Sequence, residues 1–383
     1  MKQLSECRIL LVDDAKSNID ILVEALKRDF KLSVALSGEM ALQIAAKTPP
    51  DLVLLDIMMP GLDGYEVCRR FRKMPEMAEV PVIFLSSLDE VQNKALGFEA
   101  GANDYVTKPF EMLEVQARVR SLLKAKAYSD SVKEQLAADL RVAHDIQMGM
   151  IPQDFSGLEK QFGVELAAVL EPTREVGGDL YCAFAADSER LVLVMGDVSG
   201  KGIPASLFMV RASTLVRLLG RQILEPKRIL ASLNDELEAD NPSGMFVTVI
   251  CALYERTSRR LTLSNGGQCR PVLLRSGQPP AWAFPNLGTA LGLEPGMDFK
   301  QTTLNLEPGD TLVLYTDGVT EAFNAQDECY GDDRLLSGLG ASAGQKAHAV
   351  STGLLQSIRA FAGETPQSDD IATLVLRVPD APR

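Results

Sequence analysis

The sequence predicts two folded domains joined by a long helix. A doubly wound parallel α/β domain covers residues 1–122, a helical linker covers 123–152, and an α+β domain covers 153–379 as an antiparallel β-sandwich flanked by helices. Three observations predict this. In the first third, short apolar runs alternate with helical patterns, the rhythm of a parallel sheet covered on both faces. From Leu122 to Met148 there is neither Pro nor Gly. Beyond Pro152 strand-like runs dominate and a few helical patterns interrupt them, as in two packed sheets with helices outside.

In the first domain Arg8–Val12, Leu52–Leu55, Val82–Leu85 and Tyr105–Val106 read as strands, and Ser17–Phe30 and Gly64–Lys73 as helices. Chemistry in such sheets gathers at the carboxyl ends of the strands. Asp13, Asp14, Asp56, Ser86 and Lys108 all fall there. Three acids at one edge repel one another unless a cation binds, and Lys108 adds a fixed positive charge. The segments VDD, LLDIMMPGLDGYE, PVIFLSS and GANDYVTKPF resemble a response-regulator receiver domain, a five-stranded parallel sheet, over residues 5–122. The resemblance implies that Asp56 is the phosphoacceptor and that a sensor histidine kinase is the partner that phosphorylates it. It also implies that Asp13, Asp14, Asp56 and the carbonyl of Met58 hold Mg²⁺. Ser86 would bond the phosphoryl group, Lys108 would pair with it, and Tyr105 would be the rotating aromatic. A carboxylate beside Mg²⁺ can accept a phosphoryl group by positioning and charge neutralisation, so the chemistry agrees.

The linker follows as a continuation of the last receiver helix. Val132, Leu136, Leu140, Ala143, Ile146 and Met150 recur at spacings of three and four and form one apolar stripe. The stripe fits either packing on the chain's own domain or a weak two-stranded coiled coil, which would make a homodimer. Pro152 ends it, because Pro disfavours helix in the residue before it.

In the last domain the strand readings are Glu165–Leu170, Leu191–Met195, Phe246–Tyr254, Arg260–Ser264, Pro271–Leu274, Thr311–Tyr315 and Ile371–Val378. Helical patterns cover Pro204–Leu219, Pro226–Ala239 and about His348–Phe361. Each of Asp179, Asp197, Asp317 and the Asp369–Asp370 pair stands beside an apolar run. Oxygen ligands at strand ends suit hard divalent cations such as Mg²⁺ or Mn²⁺. EVGGDLY, GDVSGKG, MFVTV, LSNGG, LEPGDTLVLYTDGVTEA and SDDIATLVL resemble, in order, the RsbU/SpoIIE branch of type 2C protein phosphatases, and AHDIQMGMIP resembles the helix that opens that domain.

That second resemblance implies a metal-dependent serine/threonine protein phosphatase with two Mn²⁺ or Mg²⁺ ions. Asp197 would bridge them and the Val198 carbonyl would complete one shell. Asp179 would bind one ion, and Asp317 with Asp369 (Asp370 the alternative) the other. Gly178 and Gly318 would allow close backbone approach. Such a centre activates water against a phosphoester without a covalent enzyme intermediate. The implied substrate is a phosphorylated anti-sigma-factor antagonist of the STAS type. One departure stands out: where the branch often has His after Asn-Ala-Gly, this chain has Gln268. A non-catalytic adaptor resembling RssB-type regulators, binding a sigma factor or anti-sigma component, is the competing reading.

Composition narrows the classes further. There are 39 Lys+Arg against 52 Asp+Glu, a net charge of −13, which gives no footprint for nucleic acid. Six scattered cysteines without CxxC read as reduced thiols, and two histidines argue against a His-based zinc site or a Ser-His-Asp triad. No uninterrupted run of about 18 apolar residues exists. A cytoplasmic protein with no membrane partner is the expectation.

Overall fold

The computed structural model describes residues 4–86, 94–284 and 288–380, which form two compact units, 1–138 and 139–383. In the first, β1 (Arg8–Val12), β2 (Lys31–Ala35), β3 (Leu52–Asp56), β4 (Val82–Ser86) and β5 (Asp104–Thr107) make one parallel sheet in the order β2-β1-β3-β4-β5. Helices α1 (Lys16–Leu26), α2 (Gly38–Lys47), α3 (Gly64–Lys73), α4 (Lys94–Glu99) and the start of α5 (Met112–Met150) connect and cover it.

Strand alternation explains the two-sided core. Leu10, Val12, Val53 and Leu55 join Val67, Cys68 and Phe71 of α3 on one face. Ile9, Leu11, Leu52 and Leu54 join Leu22 and Leu26 of α1 and Val115 and Val119 of α5 on the other. Asp63 caps α3 by accepting from the Glu66 amide at 2.7 Å. Helix α1 stops at Leu26 rather than Phe30, because Phe30 turns inward as a buried residue leading into β2.

Helix α5 runs unbroken for 39 residues and links the two units, as the absence of helix breakers predicts. Val132, Leu136 and Ile146 of its stripe are exposed, while Leu140, Ala143 and Met150 are half-buried.

In the second unit α6 (Ser156–Phe162) precedes two five-stranded antiparallel sheets. One runs β13 (Gln301–Asn305), β10 (Arg260–Gly266), β9 (Val247–Glu255), β8 (Arg190–Val198), β7 (Leu180–Ala185). The other runs β12 (Ala281–Trp282), β11 (Val272–Leu274), β14 (Thr311–Tyr315), β15 (Ile371–Arg377), β6 (Glu165–Glu171). Leu312, Leu314, Leu374 and Leu376 of the second sheet share one core with Leu191, Leu193, Val249 and Cys251 of the first. The alternate residues Val313, Tyr315 and Val375 face outward onto α9 (Gly331–Ala341) and α10 (Ala347–Ala362). On the first sheet's outside lie α7 (Ile203–Gln222) and α8 (Pro226–Glu238).

Leu191 to Met195 are each fully buried, worth about 1.5–3 kcal/mol per large side chain. Among the described helices α7 alone has the length and apolar composition of a membrane span, yet its Ala205, Met209, Ala212 and Val216 are buried in this core.

Candidate functional site

The first unit brings the predicted receiver residues to one edge of the sheet. Asp13 follows β1, Asp56 ends β3, Ser86 ends β4 and Lys108 follows β5. Lys108 Nζ lies 2.9 Å from Asp13 Oδ2 and 2.7 Å from Asp56 Oδ1. Asp13 also accepts from Asn18 Nδ2 and from the Ala15 amide. Carboxylate oxygens of Asp13, Asp14 and Asp56 lie within 4.8 Å of one another, Asp14 being exposed and the others buried. Burial raises the Asp56 pKa and Asp13's charge adds to it; Lys108 and a backbone hydrogen bond with Met58 oppose this in part. Burial pulls the Lys108 ammonium down, but its bonds to Asp56 and Asp13 outweigh that and leave it raised.

Gly64 is dictated by sterics, since a Cβ there would stand 2.2 Å from the Asp56 carbonyl oxygen. Ser86 is buried, and its carbonyl accepts from the Lys108 amide at 2.7 Å. The Tyr105 ring is turned inward, tilted on Phe84 at 5.9 Å and edge-on to Phe98 at 5.3 Å.

The second unit collects its acids at one end of the sandwich, from both sheets. Asp179 immediately precedes β7 and Asp197 is the penultimate residue of β8. Asp317 opens a short 3₁₀ turn after β14, and Asp369 and Asp370 immediately precede β15. Two hydrogen bonds stitch the sheets together there, and a close approach joins two loops of the second sheet. Thr316 Oγ1 donates to Asp179 Oδ2 at 2.7 Å, and the Gly178 amide donates to Asp370 Oδ2 at 2.9 Å. A Cβ on Gly318 would stand 2.0 Å from the Asp370 carbonyl oxygen, so only glycine lets these loops meet. Gly178 is similarly confined, with the Val198 carbonyl oxygen 2.8 Å from where its Cβ would be.

The electrostatics are those of crowded carboxylates. Burial, then the charge of Asp197, holds Asp179 well above the usual range. Burial, then the charges of Asp317 and Asp369, pushes Asp197 up to about 7, against a lowering hydrogen bond with Asp179. Asp317 is raised by burial, then by Glu321 and Asp369. Acids that raise one another in this way form a site short of positive charge, and an all-oxygen donor set fits Mg²⁺ or Mn²⁺. Among the described residues these acids do not bring three ligand oxygens within 4.8 Å of one another as the receiver trio does.

Asp369 and Asp370 differ. Asp370 accepts two backbone amides, from Thr173 at 2.7 Å and Gly178 at 2.9 Å. Asp369 instead faces Lys201, whose Nζ is 2.9 Å from its Oδ2. Gln268 is buried; its Oε1 accepts from the Cys269 amide, while its Nε2 has no partner. Burial, then Asp317, Asp179 and Asp197, raises the Cys269 thiol, which places this loop beside the acids.

Several residues went unread in the sequence. Lys201 stands inside GDVSGKG and Thr316 directly before Asp317, so their positions were available but their partners were not. Arg174 is exposed, with Nη1 3.8 Å from where a Cβ on Gly202 would stand. Buried Gln147 of α5 donates to the Gly177 carbonyl at 2.7 Å and accepts the Gly177 amide at 3.2 Å. Nearby, Arg217 of α7 donates to the Met150 carbonyl at 2.5 Å, closing the end of α5.

Comparison with known proteins yields two family matches: Stage II sporulation protein E (SpoIIE) over residues 187–379, and the response regulator receiver domain over residues 9–120. Response regulator PleD of Caulobacter vibrioides is 39% identical over 136 residues, 35% of this chain and 30% of PleD. A probable cyclic di-GMP phosphodiesterase of Vibrio cholerae is 42% identical over 135 residues, 35% of this chain and 31% of that protein. The chain thus spans about 30% of the length of these relatives. The solved SiaA-PP2C domain of Pseudomonas aeruginosa superposes with TM-score 0.58 at 20% identity, covering 64% of this chain and 98% of that one. The RsbU and RsbW domains of Rv1364c from Mycobacterium tuberculosis give TM-score 0.50 at 24% identity, covering 57% and 62%. At these identities the two structures speak for the fold.

Proposed function

The chain belongs to the SpoIIE family and carries a response-regulator receiver domain ahead of the family segment; from that premise we propose a receiver-controlled, metal-dependent phosphoserine/phosphothreonine protein phosphatase. One observation carries the reading: at one end of the sandwich the loops of two sheets gather Asp179, Asp197, Asp317 and Asp369, and the first three carboxyls are raised by burial first and then by neighbouring acid charges. Asp179, Asp197, Asp317, Asp369 and the Val198 carbonyl would hold two Mn²⁺ or Mg²⁺ ions. Bound ions would neutralise phosphate charge and make a water nucleophilic near neutral pH.

The chain's own residues prepare that place. Thr316 fixes the orientation of the Asp179 carboxylate, and Asp370 holds the Gly178 loop against β15. Arg174, exposed beside the Gly202 turn, offers a guanidinium to an incoming phosphoryl group. Gln268, whose Nε2 is unpartnered, offers a neutral donor where the family often has a titratable His.

On the receiver side Asp56 would take the phosphoryl group from a sensor histidine kinase, with Mg²⁺ on Asp13, Asp14, Asp56 and the Met58 carbonyl. Ser86 and Lys108 would engage the phosphoryl group and Tyr105 would turn with it. The substrate we propose is a phosphorylated STAS anti-sigma-factor antagonist in the cytoplasm, and the exposed stripe of α5 supports a homodimer. The domain limits we propose are receiver 1–122, linker 123–152 and phosphatase 153–379.

The test is Mn²⁺-dependent phosphate release from a phosphoserine STAS protein, with and without a beryllofluoride-loaded receiver. Release that requires Mn²⁺, changes with receiver state and is abolished by Asp197→Asn is expected. No release in either state would favour the adaptor reading.

A further inference from the structure

Lys201 lies in the turn between β8 and α7, flanked by Gly200 and Gly202 at φ of 84° and 75°. Its ammonium is held twice, by Asp369 Oδ2 at 2.9 Å and by the Ser368 carbonyl at 2.7 Å. Asp369 Oδ1 accepts the Asp370 amide at 2.9 Å. The ammonium therefore sits on the Asp369 oxygen that remains for a cation.

We propose that Lys201 is a tethered cation that competes with a divalent ion for Asp369 and so sets how tightly the acid site takes metal. The inference rests on the assignment of Asp369 as a metal ligand. A unit positive charge at hydrogen-bond distance from a ligand oxygen repels an arriving cation and occupies a lone pair that the ion needs. Removing that charge leaves the acids more negative and the oxygen free, so affinity rises. Both side chains are partly exposed, at 41% and 35%, which limits the effect through solvent screening. The expected gain is about three- to tenfold, and it shrinks as salt screens the pair. Lys201 touches no substrate here; it acts through Asp369 and is a positioning residue.

The experiment uses the full chain carrying Asp13→Asn and Asp56→Asn, so that the receiver contributes no ion. Free Mn²⁺ is followed by electron paramagnetic resonance during titration of Lys201, Lys201→Met and Lys201→Arg proteins. Lys201→Met is expected to tighten the weaker of the bound Mn²⁺ ions about three- to tenfold at low salt, with the gap closing at about 0.5 M KCl. Lys201→Arg keeps the charge and should stay within about twofold of Lys201. The same Mn²⁺ concentration should also raise the thermal midpoint more in Lys201→Met than in the parent. Equal or weaker Mn²⁺ binding in Lys201→Met, with ions still bound, overturns the competition and leaves the metal site standing. Absence of bound Mn²⁺ in all three proteins removes the metal assignment itself, and the competition with it.

Discussion

The Gly178 amide donates to Asp370 Oδ2 at 2.9 Å, and this bond ties the loop before β7 in one sheet to the loop before β15 in the other. With the Thr173 amide on its second oxygen, Asp370 serves as a buried acceptor for two backbone donors. Its neighbour Asp369 is half-buried and turned toward Lys201. Asp370→Ala is therefore expected to destabilise the chain by about 1–3 kcal/mol, because a buried and a half-buried amide lose their acceptor. Asp369→Asn should leave stability within about 0.5 kcal/mol and weaken Mn²⁺ binding instead. Denaturant unfolding beside a Mn²⁺ titration checks both, and the reverse pattern would move the ligand role to Asp370.

Lys108 holds the receiver acids together at 2.7 and 2.9 Å. Lys108→Met leaves two buried carboxylates without their cation. A loss of about 1–3 kcal/mol is expected in chelator, partly restored by millimolar Mg²⁺ because the ion replaces the missing charge. Thermal unfolding in EDTA and in Mg²⁺ reads this directly; equal loss in both would mean that Mg²⁺ does not bind beside Asp13 and Asp56.

The clustered acids of the second unit predict an inverted pH dependence in chelator. Burial and then the charges of Asp317 and Asp369 push Asp197 up to about 7. A raised carboxyl pKa means that the folded chain binds more protons than the unfolded one between roughly pH 4 and 7, so this contribution falls as pH rises through that window. Asp197→Asn removes the charge. In EDTA it should be more stable than the parent by about 1–3 kcal/mol at about pH 7.5, and by little near pH 4. Saturating Mn²⁺ should narrow or reverse the difference, since the parent gains the ion. Parallel stability curves for the two proteins would contradict the crowding of these acids.

Much of this architecture was legible in the chain itself. Arg8–Val12, Gly64–Lys73 and Thr311–Tyr315 have the bounds read from their apolar patterns. Strand β7 (LYCAFA) escaped despite its apolar run, whereas other missed elements lack such a signal. Strand β2 is an edge strand with only Ala35 fully buried, and β13 (QTTLN) alternates half-buried with exposed polar residues. Helix α9 contains three glycines in its 11 residues. The acids were readable because each stands beside an apolar run. Their partners were not: Thr316 meets Asp179 across 137 residues and Lys201 meets Ser368 across 167, separations set only by the packing of two sheets.

The stripe on α5 gives a prediction about assembly. Val132, Leu136 and Ile146 are 49%, 53% and 62% exposed on one chain, an apolar seam of the kind a second helix covers. Sedimentation should show a dimer that Leu136→Asp converts to a monomer. An unchanged mass would leave the stripe without a role in self-association.

Gln147 gives the last prediction, because it joins the linker helix to the loop before Asp179. Its amide meets both the carbonyl and the amide of Gly177, two residues before Asp179, and it is buried. Gln147→Ala leaves two buried backbone groups unpaired and frees the loop from α5. Asp179 would keep its bonds to Thr316 and Asp197 but lose the anchored loop behind it, and a carboxylate displaced by about 1 Å can lower turnover about 100-fold. The expected result is a loss of phosphate release of about 10- to 100-fold and a receiver state that no longer changes the remaining rate. Gln147→Glu keeps the acceptor but lacks the donor, so it should fall between the two. Rates that still respond to beryllofluoride in Gln147→Ala would mean that the receiver reaches the acids by a route other than the end of α5.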